Sequence, residues 1–283
     1  MVATTVGGLA VEIIDAAQGH HKGTLANLAA AVLTTSETTI TLTPNSGIHA
    51  GHRLGINFEM MQVTSVAGEV ATVVRGAGGS IAAVHALDDM VYIRWRWFLN
   101  DVAMAMADEV RSWPNELFKV ASEDLAITTS SVSYPIVATD FRFPLLLELN
   151  DGNTYGRTPL IRGDVRQTGT GLRLHLERAI ASGTLTMMYA ADFTTTSFVQ
   201  GTLLADVGVE ERFFDIVRYG VLARLLDMRE PERSQRGTQP DPREAEETRV
   251  LDTARQAQAL KARRDQRIEE EIERLRNRWP IRF

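Results

Sequence analysis

Histidines and carboxylates are the first residues to weigh for chemistry. His20 and His21 are adjacent, and His49 and His52 lie three apart. Two histidines begin a metal site, but a tetrahedral ion needs further ligands at matched geometry. His49 and His52 fall at a turn between strand-like runs, where this spacing does not put both rings on one face. They read as solvated turn residues. The acidic pairs Asp88-Asp89 and Asp108-Glu109 are sequential, so their side chains do not face each other. A glycosidase dyad depends on separation in space, on which sequence alone is silent. No Gly-x-Ser-x-Gly elbow occurs. Cysteine is absent, which removes disulfides, thiolate catalysis and cysteine-bound zinc.

The loop Arg75-Gly76-Ala77-Gly78-Gly79-Ser80 is rich in glycine but is not a phosphate cradle. A P-loop ends in Gly-Lys-Ser/Thr at a helix start, and no lysine follows here. A dinucleotide fingerprint opens a helix in a βαβ unit, whereas these flanks read as antiparallel strands. The glycines therefore serve turns that need positive φ. Arg94-Trp95-Arg96-Trp97 has residue types that stack on bases or sugars, but stacking platforms sit in basic grooves. This run reads instead as a core or interface element at a strand–helix junction. The chain is expected not to be an enzyme, with no catalytic, cofactor-binding or metal-binding residue.

Composition narrows the class further. The chain has 283 residues, of which 44% are hydrophobic, ordinary for a folded protein with one large or two modest cores. No apolar run approaches the roughly 20 residues that span a bilayer. Met1 to Ala10 lacks the basic start and apolar core of a signal peptide. The net charge is −6. Acids and bases balance from Asp206 to Phe283, so the acidic excess precedes Asp206. Duplex binding needs clustered Lys and Arg, and no uninterrupted cluster exists. Specific DNA binding is not expected, while a mild acidic bias suits a surface that DNA slides past.

Several elements must position these residues. Thr24 is expected to cap a short helix carrying Leu25, Leu28 and Leu33. Thr39 to Leu42 alternates as a strand, Leu54 to Thr64 reads as a second, Val70 to Val74 as a third and Met90 to Ile93 as a fourth. Phe98, Val102, Met106 and Val110 make one face of a helix that Pro114 stops. Further strands are expected at Ser133 to Val137, Phe143 to Leu149, Leu172 to Glu177 and Thr184 to Tyr189. Val209, Phe213, Ile216, Val217, Gly220, Val221 and Leu225 line a later helix. Arg243 to Arg278 is a charged helix of about 54 Å at 1.5 Å per residue. It exceeds a small domain and is expected to run along other subunits or to project.

The expected class is α+β: two small antiparallel β domains linked by a helix, with a helical C-terminal region ending in a long charged helix. The expected organisation is an N-terminal, partly helical arm (1–36), a small β module (37–93), a linking helix (94–117), a second antiparallel β domain (118–200), a core helix (201–230), a polar linker (231–242) and the long C-terminal helix with its tail (243–283).

Within this layout, Glu59-Met60-Met61-Gln62-Val63-Thr64, Thr72-Val73-Val74-Arg75-Gly76, Gly79-Ser80 and Ala82-Ala83-Val84-His85 follow a pattern. They resemble a small β module shared among tailed-bacteriophage virion proteins, with Ser80 where threonine is usual. The whole layout resembles head–tail connector (adaptor) proteins. That resemblance implies a homo-oligomeric ring, commonly a dodecamer, below the portal at the head–tail junction of the virion, assembled in the host cytoplasm. Its implied partners are the portal and a downstream neck or tail protein, with DNA passing through the channel and no membrane involved. Arg75, Gly76, Gly79 and His85 are expected to shape the structural turn of the module, with His85 satisfying backbone groups near Arg75. Trp279, Ile281 and Phe283 are expected to dock on the portal. A minor tail or baseplate protein is the first alternative, and a virion carbohydrate-active enzyme the second.

Overall fold

The computed structural model describes residues 5–18, 23–127, 131–150, 162–169, 171–180, 183–194, 201–228 and 244–279. The fold is α+β, with antiparallel sheets and four described α-helices, the last at the C-terminal end. The chain divides into two compact units, Met1–Ser112 with Thr195–Arg267, and Trp113–Thr194 with Ile268–Phe283.

Six strands build the first unit's sheet: β1 (Thr24–Asn27), β2 (Thr39–Thr41), β3 (Arg53–Ile56), β4 (Glu59–Ala67), β5 (Val70–Val74) and β6 (Met90–Ile93). Their order is β1-β6-β3-β4-β5-β2, and every pair is antiparallel. The two outer strands then meet. Leu28 bridges Leu42, Ala29 N–H donates to the Thr41 carbonyl at 2.8 Å, and Thr43 N–H donates to the Asn27 carbonyl at 2.9 Å. The sheet thus closes into a small barrel, which removes the unpaired edges of an open sheet. Ala26, Leu28, Ile40, Leu42, Leu54, Ile56, Met61, Val63, Ala71, Val73, Val91 and Ile93 fill it.

Two sequence expectations fail here for physical reasons. Thr24–Asn27 is a strand and not a helix start. Its alternation sends Ala26 and Leu28 inward while Leu25 and Asn27 face out, and the hydrogen bonds gained by closing the barrel outweigh local helix preference. The β module therefore begins before residue 37. The run Leu54 to Thr64 is two strands. Asn57, at φ 53°, supplies the left-handed turn residue that folds β3 onto β4.

Three helices accompany the barrel: α1 (Val6–Gln18), α2 (Leu99–Arg111) and α3 (Phe214–Asp227). Val6, Leu9, Ala10, Ile13, Ile14 and Ala17 recur at helical spacing and are buried. α1 packs on α2 and α3, and α2 packs on α3. α2 buries Val102, Met106 and Val110, the face read from its sequence. It belongs to this three-helix layer, so it is more than a linker between β domains. At Gly55 an added Cβ would lie 2.4 Å from the Phe98 ring, so only glycine lets Phe98 seat on the barrel.

The second unit has two three-stranded antiparallel sheets. One orders β7 (Lys119–Ala126), β12 (Thr184–Ala191) and β9 (Phe141–Asn150) as β7-β12-β9. The other orders β10 (Gly163–Thr168), β11 (Gly171–Leu176) and β8 (Ser133–Pro135) as β10-β11-β8. Leu125, Tyr134, Leu147, Leu174, Leu176, Leu185, Met187 and Tyr189 form one core from both sheets, as in a sandwich. β7 and β10 carry no clear strand signal in the sequence, because Lys119 to Ala126 and Gly163 to Thr168 have too few apolar residues at alternate positions.

The last helix, α4 (Glu244–Arg278), belongs to the first unit through Arg267 and to the second from Ile268. Within residues 254–267 only Ala257 is buried, whereas Ile268, Glu271 and Leu275 are buried further on. Part of the helix is therefore covered by its own chain, while most of its described residues are exposed or half-buried. The expected linker 231–242 lies outside the described residues.

Candidate functional site

The residues that carry the module resemblance converge on one carboxylate. Glu59 opens β4, Arg75 follows β5, and Ala83 and His85 lie on the segment before β6. The Glu59 side chain is fully buried. It accepts five hydrogen bonds: from Arg75 Nε and Nη2 at 2.6 Å each, Gly76 N–H at 3.2 Å, Ala83 N–H at 2.9 Å and His85 Nε2 at 2.9 Å. Arg75 is used as fully. Its Nη1 donates to the Glu37 carbonyl at 2.9 Å and the Thr34 carbonyl at 3.3 Å, and its Nη2 also reaches the Ala83 carbonyl. Burial alone would raise the Glu59 pKa, but the Arg75, His85 and Ala83 hydrogen bonds outweigh it and hold the carboxyl at about 2.

The turn residues shape this cluster. Gly76, Gly78 and Gly79 all have positive φ, and Gly76 presents its N–H to Glu59. Ser80 Oγ accepts from Met60 N–H at 2.9 Å and donates to the Ala77 carbonyl at 2.9 Å, tying the loop to β4. His85 is buried, and its N–H and carbonyl pair with Val32 at 3.0 and 2.9 Å. Its ring meets Glu59 and not the backbone near Arg75, which corrects the sequence reading of its partner. Sequence reasoning missed Glu59 itself. The signal was present: Glu59, Met61 and Val63 alternate, placing an acid in register with two core residues.

This arrangement does not resemble a catalytic carboxylate. Both oxygens are enclosed by donors and none faces solvent, so no substrate proton is within reach. What the network can do is hold a loop rigid. The loop's outer face is apolar: Ile81 is 81% exposed, Leu33 77%, Val84 61% and Leu87 56%. Because Val32 bridges His85 antiparallel, Leu33 and Val84 are cross-strand neighbours on the outside. Leu33 and Val84 are therefore exposed side by side, and Ile81 and Leu87 are exposed on the same segment as Val84.

The other sequence candidates are placed as follows. His49 N–H donates to His52 Nδ1 at 3.1 Å, and their rings meet edge-on at 5.2 Å. Burial, with Arg94 and His49 nearby, lowers the His52 pKa. Among the described residues no group of three His, Asp or Glu is arranged to hold a metal ion; His20 and His21 lie outside them. Trp95 is buried edge-on against Tyr92 at 4.7 Å. Arg96 lies over the Trp97 ring at 5.9 Å. Asp89 accepts from Ala86 N–H at 2.9 Å and Asn57 Nδ2 at 3.2 Å.

Asp108 and Glu109 go to different environments. Asp108 pairs with Arg111 at 2.9 Å on the surface. Glu109 is 1% exposed and binds Arg224 of α3 at 2.9 Å and Arg264 of α4. Among the expected docking residues, Trp279 is half-buried, and Ile281 and Phe283 lie outside the described residues. Compared with protein-family models and with curated proteins, the chain matches none.

Proposed function

We propose that the protein is a non-enzymatic structural subunit of a tailed-phage head–tail connector, forming a homo-oligomeric ring below the portal around the DNA channel. One observation carries this reading. The residues that define the module resemblance, Glu59, Arg75, Gly76, Ser80, Ala83 and His85, build a hydrogen-bonded network around the buried Glu59 carboxylate, beside the exposed apolar residues Ile81 and Val84. Such a network stabilises a protein-binding surface and leaves no reactive group exposed. Aliphatic contact residues on a pre-ordered loop lose little conformational entropy on binding, which favours subunit association.

The chemistry of the chain agrees with a ring around DNA. The acidic excess precedes Asp206, so the body repels phosphate and gives a channel through which DNA moves without specific contacts. In this reading the portal contact falls to the end of the chain, with Ile281 and Phe283 as its anchors and Trp279 contributing the exposed part of its ring.

Two measurements test the proposal. Light scattering of the purified full chain, alone and mixed with portal-bearing heads, reports self-association and capture. A ring mass together with co-sedimentation on heads is the expected result. A chain that stays monomeric in both samples would overturn the reading. Removing Trp279–Phe283 should abolish capture by heads while leaving the circular dichroism spectrum unchanged.

A further inference from the structure

The Glu59 network leaves one polar atom unused. His85 is 4% exposed, and its two ring nitrogens face two different carboxylates. Nε2 donates to Glu59 at 2.9 Å. Nδ1 is buried, has no hydrogen-bond partner among the described residues, and lies 3.8 Å from Asp89 Oδ2. That gap is about 1 Å longer than a charge-assisted hydrogen bond. Buried polar atoms without a partner are rare in folded proteins, so this one calls for a physical account.

The proton inventory supplies it. Glu59, held at about 2, is ionised throughout the neutral range and can only accept. Nε2 therefore carries hydrogen, and in a neutral ring Nδ1 is a bare lone pair beside a carboxylate. A second proton, on Nδ1, turns that repulsion into attraction. The charged groups on the segments packed around His85 are Glu59 of β4, Arg75 after β5, Asp89 before β6 and Glu37 beyond the Val32 bridge. Glu59 and Arg75 neutralise each other, and the Glu37 carboxylate accepts from Leu33 N–H at 3.1 Å. Among the described residues the hydrogen-bond donors to Asp89 are neutral: Ala86 N–H at 2.9 Å and Asn57 Nδ2 at 3.2 Å. Asp89 is thus the carboxylate for which an imidazolium is the matching cation.

We propose that His85 is a proton-operated latch: with a second proton on Nδ1 it joins Glu59 to Asp89 and fastens segment 83–89 to the barrel, and loss of that proton frees the Asp89 end. The 3.8 Å separation is the open form. The segment has a turn to move, since Asp88 has φ 66° and Asp89 N–H donates to the Ala86 carbonyl at 3.2 Å. It carries the exposed Val84 and Leu87, so the proton sets how firmly those side chains are presented. The imidazolium is the form with two carboxylate partners. The latch is therefore closed on the acid side and opens as pH rises through the range in which imidazole titrates.

The test uses the full chain with 15N-labelled histidine. Long-range 15N–1H spectra are recorded from about pH 5.5 to about pH 8.5, and the spectrum of His85→Gln assigns the ring. At the acid end both nitrogens should carry hydrogen; at the basic end Nε2 keeps its hydrogen and Nδ1 has lost its own. Over the same range the exchange protection of the Ala86 amide, which is bonded to Asp89, should fall by about tenfold. Asp89→Asn removes the charge and keeps an acceptor for Ala86. In that variant the Nδ1 midpoint should move to lower pH by at least about half a unit, and Ala86 protection should no longer follow pH. A ring that keeps a bare Nδ1 at the acid end overturns the latch, as does an unmoved midpoint in Asp89→Asn. If circular dichroism shows that variant to be unfolded, the parent chain decides alone: constant Ala86 protection while Nδ1 titrates overturns the latch.

Discussion

Replacing Glu59 with glutamine perturbs the barrel at its most heavily hydrogen-bonded side chain. The carboxylate is held at about 2, against an ordinary value of 4.5, so its ionised form contributes about 3 kcal/mol at neutral pH. Because the folded-state value is depressed, this stability is fully present above 4.5 and is lost as pH falls from 4.5 through about 2. Glutamine keeps the shape but turns one oxygen into a donor. Each Glu59 oxygen accepts from Arg75 and from at least one other group, so either amide orientation sets N–H against N–H. It also leaves Arg75, whose side chain is 6% exposed, without its counter-charge. Breaking a buried pair in this way costs about 3–5 kcal/mol. Urea unfolding of the full chain, followed by methyl resonances of Leu54, Ile56 and Val63, reads the barrel separately from the second unit. The expected result is a loss of at least 3 kcal/mol at pH 7 and a flattened acid limb between pH 4.5 and 2. A variant within 1 kcal/mol of the parent, or one with the same acid limb, would refute the reasoning.

Other expectations follow from single contacts. His85→Ala removes one donor from Glu59 and should lower barrel stability by about 1–3 kcal/mol, read by the same titration. Gly220→Ala forces a Cβ against the Glu109 carboxylate and should cost about 1–3 kcal/mol as overpacking; an unchanged melting temperature would contradict the close approach. Leu174→Ala empties a fully buried site in the second unit and should cost about 2–5 kcal/mol, with the barrel methyl resonances unaffected. Changing Leu33, Ile81 and Val84 together to serine should leave stability within about 0.5 kcal/mol per site but reduce self-association in sedimentation velocity. Equal association would remove the loop from the interface.

Much of the fold was legible because its elements obey simple periods. Val102, Met106 and Val110 announce α2, and Leu172, Leu174 and Leu176 announce β11. The failures share a cause, which is dependence on partners far away in sequence. Thr24–Asn27 becomes a strand because β6 and the end of β2 need it to close the barrel, and a local window contains neither. α1 opens on Gly7-Gly8, poor helix formers, and is stabilised by burial against α2 and α3. The module's turn residues could be named from their pattern, but their common centre, Glu59, is identified only when Arg75 and His85 fold onto it. Glu109 was similarly hidden. Beside Asp108 it looks like any surface acid, and its partners lie 115 and 155 residues away.

The central claim concerns place and symmetry in a particle, so the most direct measurement is electron cryo-microscopy of assembled virions with this subunit labelled. The account predicts label in a twelvefold ring between the portal and the tail. Label at the tail tip, or in a threefold or sixfold assembly, would contradict it.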